Sequence, residues 1–136
     1  MTRRTLLACF LTILFLAPAA AQEQAAAEDF RSPSEKAAVG YVRTVLYAQR
    51  LYRKKHTKYA PSLHALVGSG SFTRRMTRTD RGDYTVQFSG GGGGFRVALT
   101  PKTFDAEHRA FYGDDSGTVR VEENQPATRQ SPPFKP

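Results

Sequence analysis

Five consecutive glycines, 90–94, are the first place to look for chemistry in this 136-residue chain, because glycine loops can cradle phosphates. That use requires a helix N-terminus directly after the loop and, in the P-loop form, a Lys-Ser/Thr pair. Phe95-Arg96-Val97 instead reads as a strand, so the run predicts a flexible hairpin loop. His56, His64 and His108 lack the spacing of metal ligands on one element and read as surface or turn residues. Asp114 and Asp115 are calcium-type ligands, but the density of oxygen donors such a loop needs is missing, and Asp with Gly117 predicts a turn. Arg81-Gly82-Asp83 spells an adhesion tripeptide that a glycine turn entering a strand produces by chance. No Gly-x-Ser-x-Gly elbow occurs, and Gly68-Ser69-Gly70-Ser71 is a linker pattern. The residues therefore predict no enzyme, no metal and no cofactor.

Charge is the stronger signal. Between Lys36 and Arg78 there are ten Lys/Arg and not one Asp or Glu. At 100° per residue, Arg43, Tyr47, Arg50 and Lys54 fall on one helix face, and Arg74, Arg75, Arg78 and Arg81 extend the positive charge downstream. Such a field attracts polyanions with salt-dependent affinity: DNA, anionic lipid headgroups or acidic envelope polysaccharide. Tyr47, between Arg43 and Arg50, is placed to stack on a base. The competing reading is a solvated helix face.

The elements that must carry these residues follow from the pattern. Ser32 caps a helix, Pro33 suits its first position, and Glu35 stands where a capping box closes. The helix is expected from about Pro33 to Lys55, with Ala38, Tyr41, Val42, Val45, Ala48 and Tyr52 on its apolar stripe and Leu46 at the edge. A short helix from Ser62 to about Val67 ends at Gly68 and Gly70, and residues 71–82 read as basic and irregular. Strands are predicted at 84–88, 95–99, 110–112 and 118–121, with period-2 alternation in the first two. The fold class is α+β: one long amphipathic helix packed on a small antiparallel meander.

The expected organisation is a secretory signal at 1–21, a loose leader at 22–31, the α+β domain at 32–123 and a Pro-rich disordered tail at 124–136. Arg3-Arg4, the apolar run 6–16, Pro18 and Ala19-Ala20-Ala21 follow the order of an export signal. The run is short for a bilayer span, which argues against a retained anchor. Leu6-Leu7-Ala8-Cys9 resembles a lipoprotein box, but its apolar stretch lies after the cysteine. Thr2-Arg3-Arg4-Thr5-Leu6-Leu7 resembles a twin-arginine signal, though the very short start and greasy core suit general secretion better. Cleavage before Gln22 removes Cys9, the one cysteine, together with Arg3 and Arg4, leaving 115 residues whose formal charge drops from +8 to +6. Such a periplasmic or secreted domain must hold itself together by core packing without disulfides.

From about Ala37 to Pro133 the chain resembles the periplasmic heads of type IV pilin-like proteins and pseudopilins. The resemblance rests on Ala48-Gln49 and Tyr52, on Tyr59-Ala60-Pro61-Ser62-Leu63 with Leu66, on the hairpin 84–88/95–101, and on the run from Arg109 to Arg120. It implies a pilin-head fold and a non-enzymatic role beside pilus or secretion-system proteins of the cell envelope. A filament-forming pilin carries a Gly-Phe-Thr-Leu-Ile-Glu type of start; this chain has none, and no acid precedes Glu23. The resemblance thus implies an accessory or interaction head without polymerisation.

Overall fold

A computed structural model describes residues 29–135. The export signal and most of the expected leader lie outside the described residues.

Helix α1 spans Pro33–His56. Ser32, in extended conformation, accepts the Glu35 N–H through its hydroxyl at 3.1 Å, and Pro33 opens the first turn. At the other end Thr57 adopts a left-handed conformation (φ 61°) and its N–H reaches the Arg53 carbonyl at 2.8 Å. Arg53, Lys54, Lys55 and His56 sit in the last turn, where the helix dipole favours cations. The buried face holds Ala38, Val39, Tyr41, Val42, Val45, Leu46 and Ala48 together with two polar residues, Glu35 and Gln49. Tyr52, expected on the apolar stripe, is only half-buried and stacks on His56 at 4.1 Å. No described helix is long and apolar enough to cross a membrane.

After two 3₁₀ turns, His64–Leu66 and Arg74–Thr77, comes a five-stranded antiparallel sheet in sequential order. Its strands are β1 (Asp80–Arg81), β2 (Tyr84–Gly91), β3 (Gly94–Pro101), β4 (Ala110–Asp114) and β5 (Arg120–Glu122). The mixed α+β class with an antiparallel meander is as the sequence predicts. The details differ in several places. Residues 71–82 are not irregular throughout, since they supply a 3₁₀ turn and the edge strand β1. The glycine run is not a loose loop: Gly90 pairs with Phe95 and Gly91 with Gly94, leaving Gly92-Gly93 as the turn. Glycine is needed at position 90 because a β-carbon there would stand 2.2 Å from the Ala60 carbonyl oxygen. That carbonyl is held by Gln49, whose side-chain amide bonds both Ala60 N–H (2.8 Å) and Ala60 C=O (3.2 Å) in the core.

One sheet face presents Tyr84, Val86, Phe95, Val97, Leu99 and Phe111 to α1. The helix comes closest at β4, where a β-carbon on Gly113 would lie 2.7 Å from Val42 Cγ1. Strand β4 is buried on both faces. Its outer residues Ala110 and Tyr112 are covered by Ala127, from the segment expected to be a disordered tail. Residues 124–135 are in fact part of the fold. Val121 N–H bonds the Pro132 carbonyl (2.9 Å), Phe134 N–H bonds the Val119 carbonyl (2.8 Å), and Phe134 enters the core. The tail escapes a pattern-based reading because prolines at 126, 132 and 133 remove donors, leaving single backbone bonds to β5 in place of a full ladder. The end of the leader is likewise anchored: Phe30 stacks on Phe134 at 5.6 Å.

Candidate functional site

Helix geometry carries Arg43, Tyr47, Arg50 and Lys54 along the solvent side of α1 over roughly 16 Å. All four are exposed, and Tyr47 retains 50% of its surface. Its ring is braced from one side, since a β-carbon on Gly70 would meet Tyr47 at 3.0 Å and Leu51 at 3.1 Å. Gly70 has φ +58°, a conformation that favours glycine. The sole acid of α1, Glu35, is buried on the opposite side, so the exposed helix face carries no acid of its own.

From Gly70 the chain runs back along the helix toward its N-terminus. Tyr41 donates its hydroxyl to the Met76 carbonyl at 2.8 Å, and Phe72 packs on the Tyr41 ring. Burial pushes the Tyr41 phenol up to about 12, so it stays a neutral donor. This arrangement sets Arg75 and Arg78, both exposed, beside the N-terminal half of α1, with the exposed Arg74 next to Arg75 in the 3₁₀ turn. The structure therefore splits the predicted basic surface: Arg43, Tyr47, Arg50 and Lys54 form a row on the helix, while Arg74, Arg75 and Arg78 occupy the flanking loop. Arg81, expected to extend that charge, is half-buried with its guanidinium 4.2 Å above the Tyr41 ring. Among the described residues Arg50, Lys54, Arg74, Arg75 and Arg78 have no acidic partner.

Two polar clusters escape a linear reading of the chain. His108, expected to be a loop residue beside Glu107, is set between two carboxylates. Its Nδ1 lies 2.7 Å from Asp105 Oδ1 and its Nε2 3.4 Å from Asp83 Oδ2. Ser34 donates its hydroxyl to that same Asp83 oxygen, so the cluster ties the first turn of α1 to the β1–β2 turn and the β3–β4 loop. The hydrogen bond with Asp105 raises the His108 pKa above 6.5, burial opposes this, and Asp83 adds to the rise. Because the folded-state value exceeds the unfolded one, this stabilisation is complete below pH 6.5 and is lost as pH climbs through the raised value. Thermal unfolding should therefore show stability declining above pH 6.5, and His108→Asn should flatten that decline; an unchanged slope in the variant would assign the effect elsewhere.

The second cluster is buried. Glu35 does not bond back to Ser32 N–H, as a capping box would have it; its carboxylate accepts Arg31 N–H (2.9 Å), Arg109 N–H (2.9 Å), Arg109 Nε (2.9 Å) and Arg109 Nη2 (2.8 Å). Burial pushes this carboxyl up, but the bonds from Arg109 and Arg31 outweigh it and hold the pKa below 4.5. Arg109 Nη2 also donates to the Asp29 carbonyl at 2.7 Å, which anchors the end of the leader. With every oxygen of Glu35 engaged and the pair sealed from solvent, the arrangement is built to hold elements together. Asp114 and Asp115 are similarly engaged, both bonded by Arg129 (3.0 and 3.1 Å), with Asp114 Oδ1 accepting Ser116 N–H in the turn.

The chain matches no family model, no curated protein and no solved structure.

Proposed function

We propose that this chain is an exported, non-enzymatic interaction domain of the bacterial cell envelope, built like a pilin head and accessory to a pilus or secretion system. The observation that supports this reading is the order of its parts: one long capped helix laid across a sequential antiparallel meander. The reading is of a head that docks on an assembly or decorates it. Fractionation of cells carrying an epitope-tagged full chain tests it. The protein is expected outside the cytoplasm with Gln22 as its new N-terminus, and recovery from the cytoplasm with Met1 intact would remove the reading.

A second reading, polyanion binding, is favoured by the cationic helix row. An exposed Tyr47 ring flanked by Arg43, Arg50 and Lys54 suits a phosphate-bearing strand or an acidic polymer. In a heparin and DNA gel-shift series across salt, binding should weaken steeply as salt rises. The triple variant Arg43→Gln, Arg50→Gln, Lys54→Gln should bind at least about tenfold more weakly. Absence of any shift at low salt would eliminate this second reading and leave the first standing.

A further inference from the structure

We infer that the groove between the start of α1 and the segment carrying Arg75, Arg78 and Arg81 is a binding site for a phosphoryl group. The groove has a volume of about 630 Å³, is lined by those three arginines with Ser34, Asp80 and Asp83, and is floored in part by Ala38 and Tyr84. Its two acids are already engaged. Asp80 is paired with Lys102 at 2.8 Å, and Asp83 accepts from Ser34 and faces His108 at 3.4 Å. The arginines are not: among the described residues none of the three has a carboxylate partner. The groove therefore carries three guanidinium groups without a direct carboxylate partner, beside two carboxylates that bond to other side chains.

Arg81 is the informative member. It is half-buried against the Tyr41 face, a contact that positions the guanidinium and supplies no oxygen acceptor for its N–H groups. An arginine held in place by an aromatic ring, with its donors unused, is preorganised for a planar or tetrahedral oxyanion. Three guanidinium forks exceed what one carboxylate can accept. A phosphomonoester offers three acceptor oxygens and close to two negative charges, which matches the set. The Tyr41 hydroxyl, bonded to Met76 C=O, holds the loop that bears Arg75 and Arg78 in register with the helix. This site lies on the flank of α1; it takes Arg75, Arg78 and Arg81 from the basic surface expected from the sequence and uses none of the helix row Arg43, Tyr47, Arg50 and Lys54.

The shared chemistry is a terminal phosphate, free or on a lipid headgroup, and two arms separate the sources. Titration of the full exported chain with inorganic phosphate, followed by amide chemical shifts, should give saturable changes confined to residues 73–83 and the first turns of α1. Vesicles of phosphatidic acid in zwitterionic lipid, read by co-sedimentation, test the headgroup. Saturable phosphate binding establishes the free group as a ligand; sedimentation without it assigns the headgroup. The Arg75→Gln, Arg78→Gln double variant alters exposed side chains only and should weaken binding at least about tenfold. Arg81→Lys, which keeps the charge but loses the fork, should weaken it by a similar factor, while the triple variant of the helix row should leave phosphate affinity within about twofold. Neither ligand binding, or binding unaffected by the double variant, would overturn the assignment.

Discussion

Glu35→Gln should destabilise the fold by about 3–5 kcal/mol, the cost expected when one member of a buried ion pair is neutralised and the other left charged. The carboxylate receives four N–H bonds, three of them from Arg109, and its side chain is fully buried beside an Arg109 that is 8% exposed. An amide at position 35 has a single acceptor oxygen and sets its own N–H₂ against the remaining donors. Arg109 would then keep its charge in a site closed to water, with the Asp29 carbonyl at 2.7 Å as its other polar partner. The measurement is chemical denaturation of the wild-type and variant chains at neutral pH. A loss below about 1 kcal/mol would show that the pair is solvated in solution and that the buried geometry does not persist. The paired replacement Glu35→Leu with Arg109→Met should recover only part of the loss, because it removes both buried charges but leaves the backbone N–H groups of Arg31 and Arg109 without their acceptor. The pH dependence has a defined sign. The folded pKa of Glu35 lies below 4.5, so its stabilisation is present above that value and disappears as pH falls through the lowered one.

That pair also marks where the sequence stops being readable. Ser32, Pro33 and the apolar repeat of α1 are local signals, and each gives the structure its expected element. The β2–β3 hairpin is legible because Tyr84, Val86, Phe95, Val97 and Leu99 alternate with polar or small residues. Glu35 reads locally as a capping residue, whereas its strongest partner lies 74 positions away. No spacing rule links the two, and only the placement of β4 against the first turn of α1 does. The cationic row on α1 is legible for the same reason the helix is, since 3.6-residue periodicity places Arg43, Tyr47, Arg50 and Lys54 together. Arg75, Arg78 and Arg81 are legible as basic residues but not as members of one groove, for they share a concavity only because Tyr41 pins the loop at Met76 and receives Arg81 on its ring. Glycines 90 and 91 mislead in another way: without side chains they show no alternation, yet their backbones continue the ladder.

The C-terminal segment gives the other large expected effect. Phe134→Ala should cost about 3–4 kcal/mol, within the range for emptying an aromatic site in a packed core. The ring is 9% exposed, stands edge-on to Phe111 at 5.7 Å, stacks on Phe30 at 5.6 Å and lies 5.7 Å from the Arg109 guanidinium. Removing it therefore opens a void against the buried ion pair and frees Phe30 together with the entry to α1. Deleting residues 131–136 goes further, because it also takes away the Pro132 carbonyl from Val121 N–H and the Phe134 N–H from the Val119 carbonyl. Strand β5 would then present its outer backbone groups to solvent as an open edge, the template for pairing with another chain. Thermal unfolding should show the truncated chain at least as destabilised as Phe134→Ala, and sedimentation should show association that grows with concentration. A truncated chain that unfolds within about 1 kcal/mol of the full one would mean that the strap is not held in solution. The contrast with Phe88→Ala is diagnostic: Phe88 is a half-buried aromatic on β2, remote from β5 and with its edge intact, so its loss should lower stability without promoting association.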